Sequence, residues 1–84
     1  MSELSKIINI GKVLEQQLNE VGIPTQEDLI KIGSREAWVR IKKIDSSACI
    51  NRLYALEGAI QGIRWHNLDE ITKKDLKEFF DAYK

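Results

Sequence analysis

Apolar residues recur at three- and four-residue spacing along nearly the whole chain, and glycines cut that pattern into short segments. Such spacing lines apolar side chains along one stripe of a helix, whereas a strand would alternate them. Ile10, Leu14, Leu18 and Val21, with Val13 beside them, predict a helix after Gly11 that turns Glu15, Gln16, Asn19 and Glu20 to water. Gly22 ends it, because glycine takes the left-handed C′ conformation without strain.

The next segments repeat this logic. Thr25 is a good N-cap, Asp28 three residues on approximates a capping box, and Glu27 and Asp28 suit the positive end of a helix dipole. This helix packs Leu29, Ile30 and Ile32 and stops at Gly33; Ser34 then caps another, with Ala37, Trp38, Ile41 and Ile44 as its stripe. Asp45-Ser46-Ser47 opens the longest predicted helix, about residues 47–63, with Cys49, Leu53, Leu56, Ile60 and Ile63 on its apolar face and the centre of the core as its place. Arg64-Trp65-His66-Asn67 turns the chain, and Thr72 with Asp75 caps a last helix carrying Leu76, Phe79, Phe80 and Tyr83. A further short helix is expected over residues 2–7. The expectation is an all-α protein, a compact bundle of five to six short helices in a single domain, 1–84. A chain of 84 residues buries roughly 60–65% of its unfolded surface, which leaves a thin core.

Composition removes several function classes. Lysine plus arginine equals aspartate plus glutamate, for a formal net charge of zero, whereas proteins that clamp DNA mainly by neutralising phosphates are usually basic. Cys49 is the single cysteine, which excludes an internal disulfide and points to a reduced, cytoplasmic protein. The N-terminal residues do not read as a secretory signal, and no apolar stretch approaches the roughly 18–20 residues of a membrane span. His66 is the only histidine and has no serine or cysteine nucleophile placed beside it by a motif; Cys49 and His66 fall short of a zinc set. No Walker or dinucleotide fingerprint is present. No catalytic residue, cofactor or metal is expected, and the chain reads as a binding module.

Two features of the residue 47–63 helix need explanation. Glu57 sits at the edge of its apolar face, where a charge needs a partner; Gln61 and Arg64 lie on the same side. A hydrogen bond to a neighbouring helix and a ligand-facing acid are both open readings. Gly58 and Gly62, with Ala55, lie away from the apolar stripe. Each glycine inside a helix costs about 1 kcal/mol relative to alanine, and close approach of another backbone, from this domain or a partner, would offset it.

Two segments are candidates for contact with a partner. Asn9-Ile10-Gly11 is similar to the Gly-hydrophobic-Gly turn of a helix-hairpin-helix, in which backbone N–H groups at a helix N-terminus hold a phosphate. Asn9 stands where glycine is usual; asparagine tolerates positive φ, but its side chain would crowd a phosphate. Lys6 and Lys12 flank the turn. Residues 13–30 hold no lysine or arginine, whereas residues 31–43 hold Lys31, Arg35, Arg40, Lys42 and Lys43 against Glu36 alone. This basic segment reads as a face for phosphates, for an acidic protein surface, or simply for water.

The Asn9-Ile10-Gly11 entry, the helix with Leu14, Leu18 and Gly22-Ile23, then Thr25, Leu29 and Gly33 resemble the C-terminal domain of the TfoX (Sxy) competence regulators. The run Leu53-Tyr54-Ala55-Leu56-Glu57-Gly58-Ala59-Ile60, followed by Gly62 and Trp65, carries the resemblance furthest, and the whole covers essentially the entire chain. The resemblance implies a compact helical domain with helix-hairpin-helix character and a link to regulation of competence and DNA transformation. It offers no catalytic residues. Full regulators of the family carry an N-terminal domain ahead of this one, so a stand-alone domain is the expectation here. Two functions follow. One is contact with DNA or a DNA-bound protein through Asn9, Ile10, Gly11, Lys12, Arg35, Arg40 and Lys43, with Glu57, Gly58, Gly62 and Trp65 structural. The other is a protein-interaction module, or a homodimer, with no affinity for nucleic acid; Trp38, Phe79 or Tyr83 exposed as one patch would favour it.

Overall fold

The computed structural model describes residues 7–83. These form α1 (Lys12–Glu20), α2 (Gln26–Ile32), α3 (Ser34–Ile44), α4 (Ile50–Gln61), one 3₁₀ turn (Trp65–Asn67) and α5 (Glu70–Tyr83). No strand occurs among the described residues, so the fold class is all-α. The short helix expected over residues 2–7 lies outside the described residues, apart from Ile7.

The glycine stops act as the sequence implies. After α1, Gly22 takes a positive φ of 84°, Ile23 N donates to Leu18 O and Gly22 N to Asn19 O, which is a Schellman closure. Gly62 closes α4 in the same way, with Ile63 N on Gly58 O and Gly62 N on Ala59 O. Gly62 therefore caps the helix from outside; only Gly58 is interior to it. Thr25 caps α2 as expected: Asp28 N donates to Thr25 Oγ1 at 3.1 Å, and Thr25 Oγ1 donates to Asp28 Oδ2 at 3.0 Å.

Several helix starts differ from expectation. Ser34 is the first residue of α3 rather than its cap, and no side chain caps that helix. Its hydroxyl is spent across the core on Glu57. α4 begins at Ile50, not near residue 47, because the Asp45 carboxylate accepts from Ser47 N and folds that segment into a turn. The non-helical backbone turns Ala48 into the core and leaves Cys49 exposed. Asp69, not Thr72, caps α5: Thr72 N donates to Asp69 Oδ1 at 2.8 Å. α5, with 14 residues, is also longer than α4, with 12.

α4 is the central helix, packed against α2, α3, α5 and the 3₁₀ turn. Leu53, Leu56 and Ala59 on α4 meet Leu18 of α1, Leu29 of α2, Ile41 of α3 and Leu76 of α5 in one buried cluster. Ile30 and Ile44 fall on predicted stripes but are exposed, as is Val13. α1 runs antiparallel to α3: Gln17 is hydrogen-bonded to Asp45, and Arg40 reaches Val21 O.

Candidate functional site

The turn ahead of α1 is built by Asn9. Its backbone has φ 72°, the left-handed conformation that asparagine tolerates. Its side chain points into the protein: Nδ2 donates to Ile63 O at 2.8 Å, and Oδ1 accepts from Trp65 N at 3.3 Å. Ile10 is buried and its N–H donates to Ile7 O at 3.1 Å. Gly11 and Lys12 stay exposed, and no side chain caps α1. A helix-hairpin-helix would need a helix before Asn9, which falls outside the described residues.

Gly58 makes the inward Asn9 side chain feasible. A Cβ at residue 58 would lie 2.5 Å from Asn9 Nδ2, 2.8 Å from Ile63 O and 3.1 Å from Trp65 Cα. The close approach inferred for this glycine thus comes from within the domain. Asn9, Gly58, the turn closed by Gly62, and Trp65 converge at one place. Trp65 is itself held by stacking, on Tyr54 at 5.7 Å and on His66 at 3.9 Å between ring centroids.

Glu57 has the structural partners that its position called for. Ser34 Oγ donates to Oε1 at 2.7 Å, and Gln61 Nε2 donates to Oε2 at 2.7 Å. Ser34 is 2% exposed, so this bond satisfies its buried hydroxyl.

The basic segment divides into engaged and outward cations. Arg40 pairs with Glu36 at 3.1 Å and also donates to Val21 O at 3.3 Å. Lys42 donates to Ser46 O and Ala48 O and lies over the Trp38 ring. Both therefore fasten α3 to its surroundings. Arg35 and Lys43 are exposed and form no ion pair with a described residue. Eight residues apart, they lie about 12 Å from each other along α3 and on neighbouring lines of its outer face.

A polar network that sequence reading missed joins three elements. Asp45 Oδ2 accepts from Arg52 at 2.9 Å and from Gln17 at 2.8 Å, while Oδ1 accepts from Ser47 N and Oγ. The Ser47 hydroxyl first, then Arg52 and Gln17, hold the Asp45 carboxyl well below the usual carboxylate range. Only the local Asp45–Ser47 part has a sequence signal, the Asx turn.

The aromatic residues do not form the exposed patch that would have marked an interface. Trp38 is 1% exposed, with Phe79, Phe80 and Tyr83 against it edge-on at 6.3, 5.4 and 5.2 Å. They are the seam between α3 and α5. Among the described residues no group of three or more His, Cys, Asp or Glu could hold a metal ion, and no helix is long and apolar enough to cross a membrane.

Against known proteins, residues 1–80 match the TfoX C-terminal domain profile. Protein Sxy of Escherichia coli (strain K12) is 33% identical over 79 residues, covering 94% of this chain and 38% of that protein. The chain thus spans about 38% of the length of this curated relative. Two solved structures have the same fold. An uncharacterized protein from Listeria monocytogenes (triclinic form) is 56% identical with a TM-score of 0.93, covering 95% of this chain and 91% of that one. A protein of unknown function from Listeria monocytogenes (tetragonal form) is 55% identical with a TM-score of 0.94, covering 98% of this chain and 100% of that one.

Proposed function

Because the chain belongs to the TfoX C-terminal domain family, we propose that it is a non-catalytic regulatory binding module, linked to competence and DNA transformation, whose partner is a protein. The observation that carries the choice of partner is the inward Asn9 side chain, bonded to Ile63 O and Trp65 N. With Ile10 N–H spent on Ile7 O, the turn similar to a phosphate cradle works as a fastener of the fold. Arg40 is likewise committed to Glu36 and Val21 O. Exposed Val13 and Ile44 supply apolar surface of the kind that protein contacts use. A cytoplasmic location belongs to the same proposal.

A second reading, contact with DNA, is favoured by the outward Arg35 and Lys43, with Lys12 and Gly11 exposed at the start of α1. Duplex DNA titrated at low and at high salt, with molecular mass measured on the same sample, separates the two. The protein-partner reading expects no saturable DNA binding at low salt. DNA affinity that falls steeply with salt, and falls again when Arg35 and Lys43 are both changed to alanine, would establish the second reading instead.

A further inference from the structure

α3 carries its charge almost entirely with one sign. Arg35, Arg40, Lys42 and Lys43 stand against a single acid, Glu36, and that acid is paired with Arg40 at 3.1 Å. Lys42 turns to the carbonyls of Ser46 and Ala48. Arg35 and Lys43 are exposed and form no ion pair with a described residue. Val39 lies midway between them and is half-buried. Arg35, Val39 and Lys43 follow one another at four-residue steps, so their side chains form one row along the helix, rising about 6 Å from each to the next. Val39 is about 100° round the helix from Trp38, which faces the core, and from Arg40, which reaches Val21 of α1. The row therefore runs along the outer side of α3.

We infer that this row docks an acidic segment of a partner protein, with a carboxylate on Arg35, an apolar side chain on Val39 and a second carboxylate on Lys43. A row of cation, apolar side chain and cation is complemented by anion, apolar side chain and anion. Nucleic acid complements it less well. Two free cations release about two counterions, whereas a protein held on DNA by its phosphates makes roughly six to ten such contacts. Val39, set between the cations, would also meet the sugar-phosphate chain instead of an apolar group. A second copy of this chain offers no match either, because no helix among the described residues carries acid, apolar residue and acid at four-residue steps. A partner helix with that pattern presents the matching row. Exposed ion pairs contribute little singly and are screened by salt, so the contact is weak and salt-sensitive. The inference rests on the protein-partner reading and deepens it by naming the partner's chemistry.

The test is a titration of the isotope-labelled full chain, followed by backbone amide shifts, at low and at high salt. The probe is an alanine-based helical peptide carrying glutamate, leucine and glutamate at four-residue steps. Saturating shifts centred on residues 35–43 are expected, with a Kd on the order of 1 mM at low salt and weaker binding at high salt. Arg35→Gln combined with Lys43→Gln should weaken binding about fivefold. Both side chains are exposed, so circular dichroism should show unchanged helix content. A peptide with serine for the leucine should also bind more weakly, which tests the Val39 contact without altering the domain. Absence of shifts up to about 5 mM peptide, shifts centred elsewhere, or shifts unchanged in the double variant overturn the inference. Where the peptide and duplex DNA both fail, the row alone is removed and a protein partner on another surface remains the reading. Duplex DNA that moves residues 35–43 with a steep salt dependence removes the protein-partner reading and this inference together.

Discussion

Asn9 and Gly58 are so closely apposed that a side chain at residue 58 would occupy the space of the Asn9 amide, 2.5 Å from Nδ2. Two of the three nearest atoms around that space, Ile63 O and Trp65 Cα, are backbone and cannot swing aside. Gly58→Ala should therefore destabilise the protein by about 2 kcal/mol, the overpacking cost exceeding the roughly 1 kcal/mol gained in helix propensity. Thermal melting checks this, with a drop in Tm of about 10 °C. An unchanged or raised Tm would mean that the α4 exit has room that the structure does not show.

Substitutions at Asn9 separate its backbone role from its side-chain role. Asn9→Gly keeps the positive φ but leaves Ile63 O and Trp65 N without this partner, a loss of about 1–3 kcal/mol. Asn9→Ala loses the same bonds and adds about 1–2 kcal/mol for left-handed backbone at a residue with a Cβ. Urea denaturation should rank stability as Asn, then Gly, then Ala. Glycine equal to asparagine would show that the side-chain bonds contribute nothing net.

Ser34 and Glu57 are unequal partners. Glu57→Ala leaves the buried Ser34 hydroxyl without its acceptor, at a cost of about 1–3 kcal/mol. Ser34→Ala removes the buried donor, while half-buried Glu57 keeps Gln61 and water, so the cost should stay below about 1 kcal/mol. Denaturation midpoints of the two variants give the comparison; equal losses would contradict the asymmetry.

Asp45 should make stability depend on acid. Its carboxyl is held below the ordinary value in the folded state by Ser47, Arg52 and Gln17, whereas in the unfolded chain it titrates near pH 3.9. Below about pH 5 the unfolded state binds more protons, so this contribution is whole above that pH and is lost as pH falls through the depressed folded value. In Asp45→Asn the contribution is missing. The Tm gap between native and variant chains should be widest near neutrality and close as pH drops below about 4. A gap that stays constant with pH would assign the effect to packing.

Local features of the fold were legible because their causes are local. Gly22 and Gly33 stop helices by taking positive φ, Thr25 caps with its own neighbours, and the stripe through Leu53 and Leu56 is buried. Cys49 was misread because periodicity extends a stripe past the point where the Asp45–Ser47 turn breaks the helix. The site was less legible. Asn9 was recognised as a residue suited to positive φ, but its partners lie 54 and 56 positions away. Arg52, Asp45 and Gln17 likewise meet only once α1, α3 and α4 have docked. Such contacts depend on how helix faces are rotated against one another, which a single stripe does not specify.

The two tryptophans sit in different surroundings: Trp38 is buried in the aromatic seam with α5, and Trp65 is half-buried in the Tyr54–His66 stack beside Asn9. Each indole therefore emits from its own locality, and chains with one of them replaced by phenylalanine would carry separate optical reporters. Docking of the last helix could then be timed independently of closure of the Asn9 clasp, and coincident signals would mean that both ends of the domain melt as one cooperative unit.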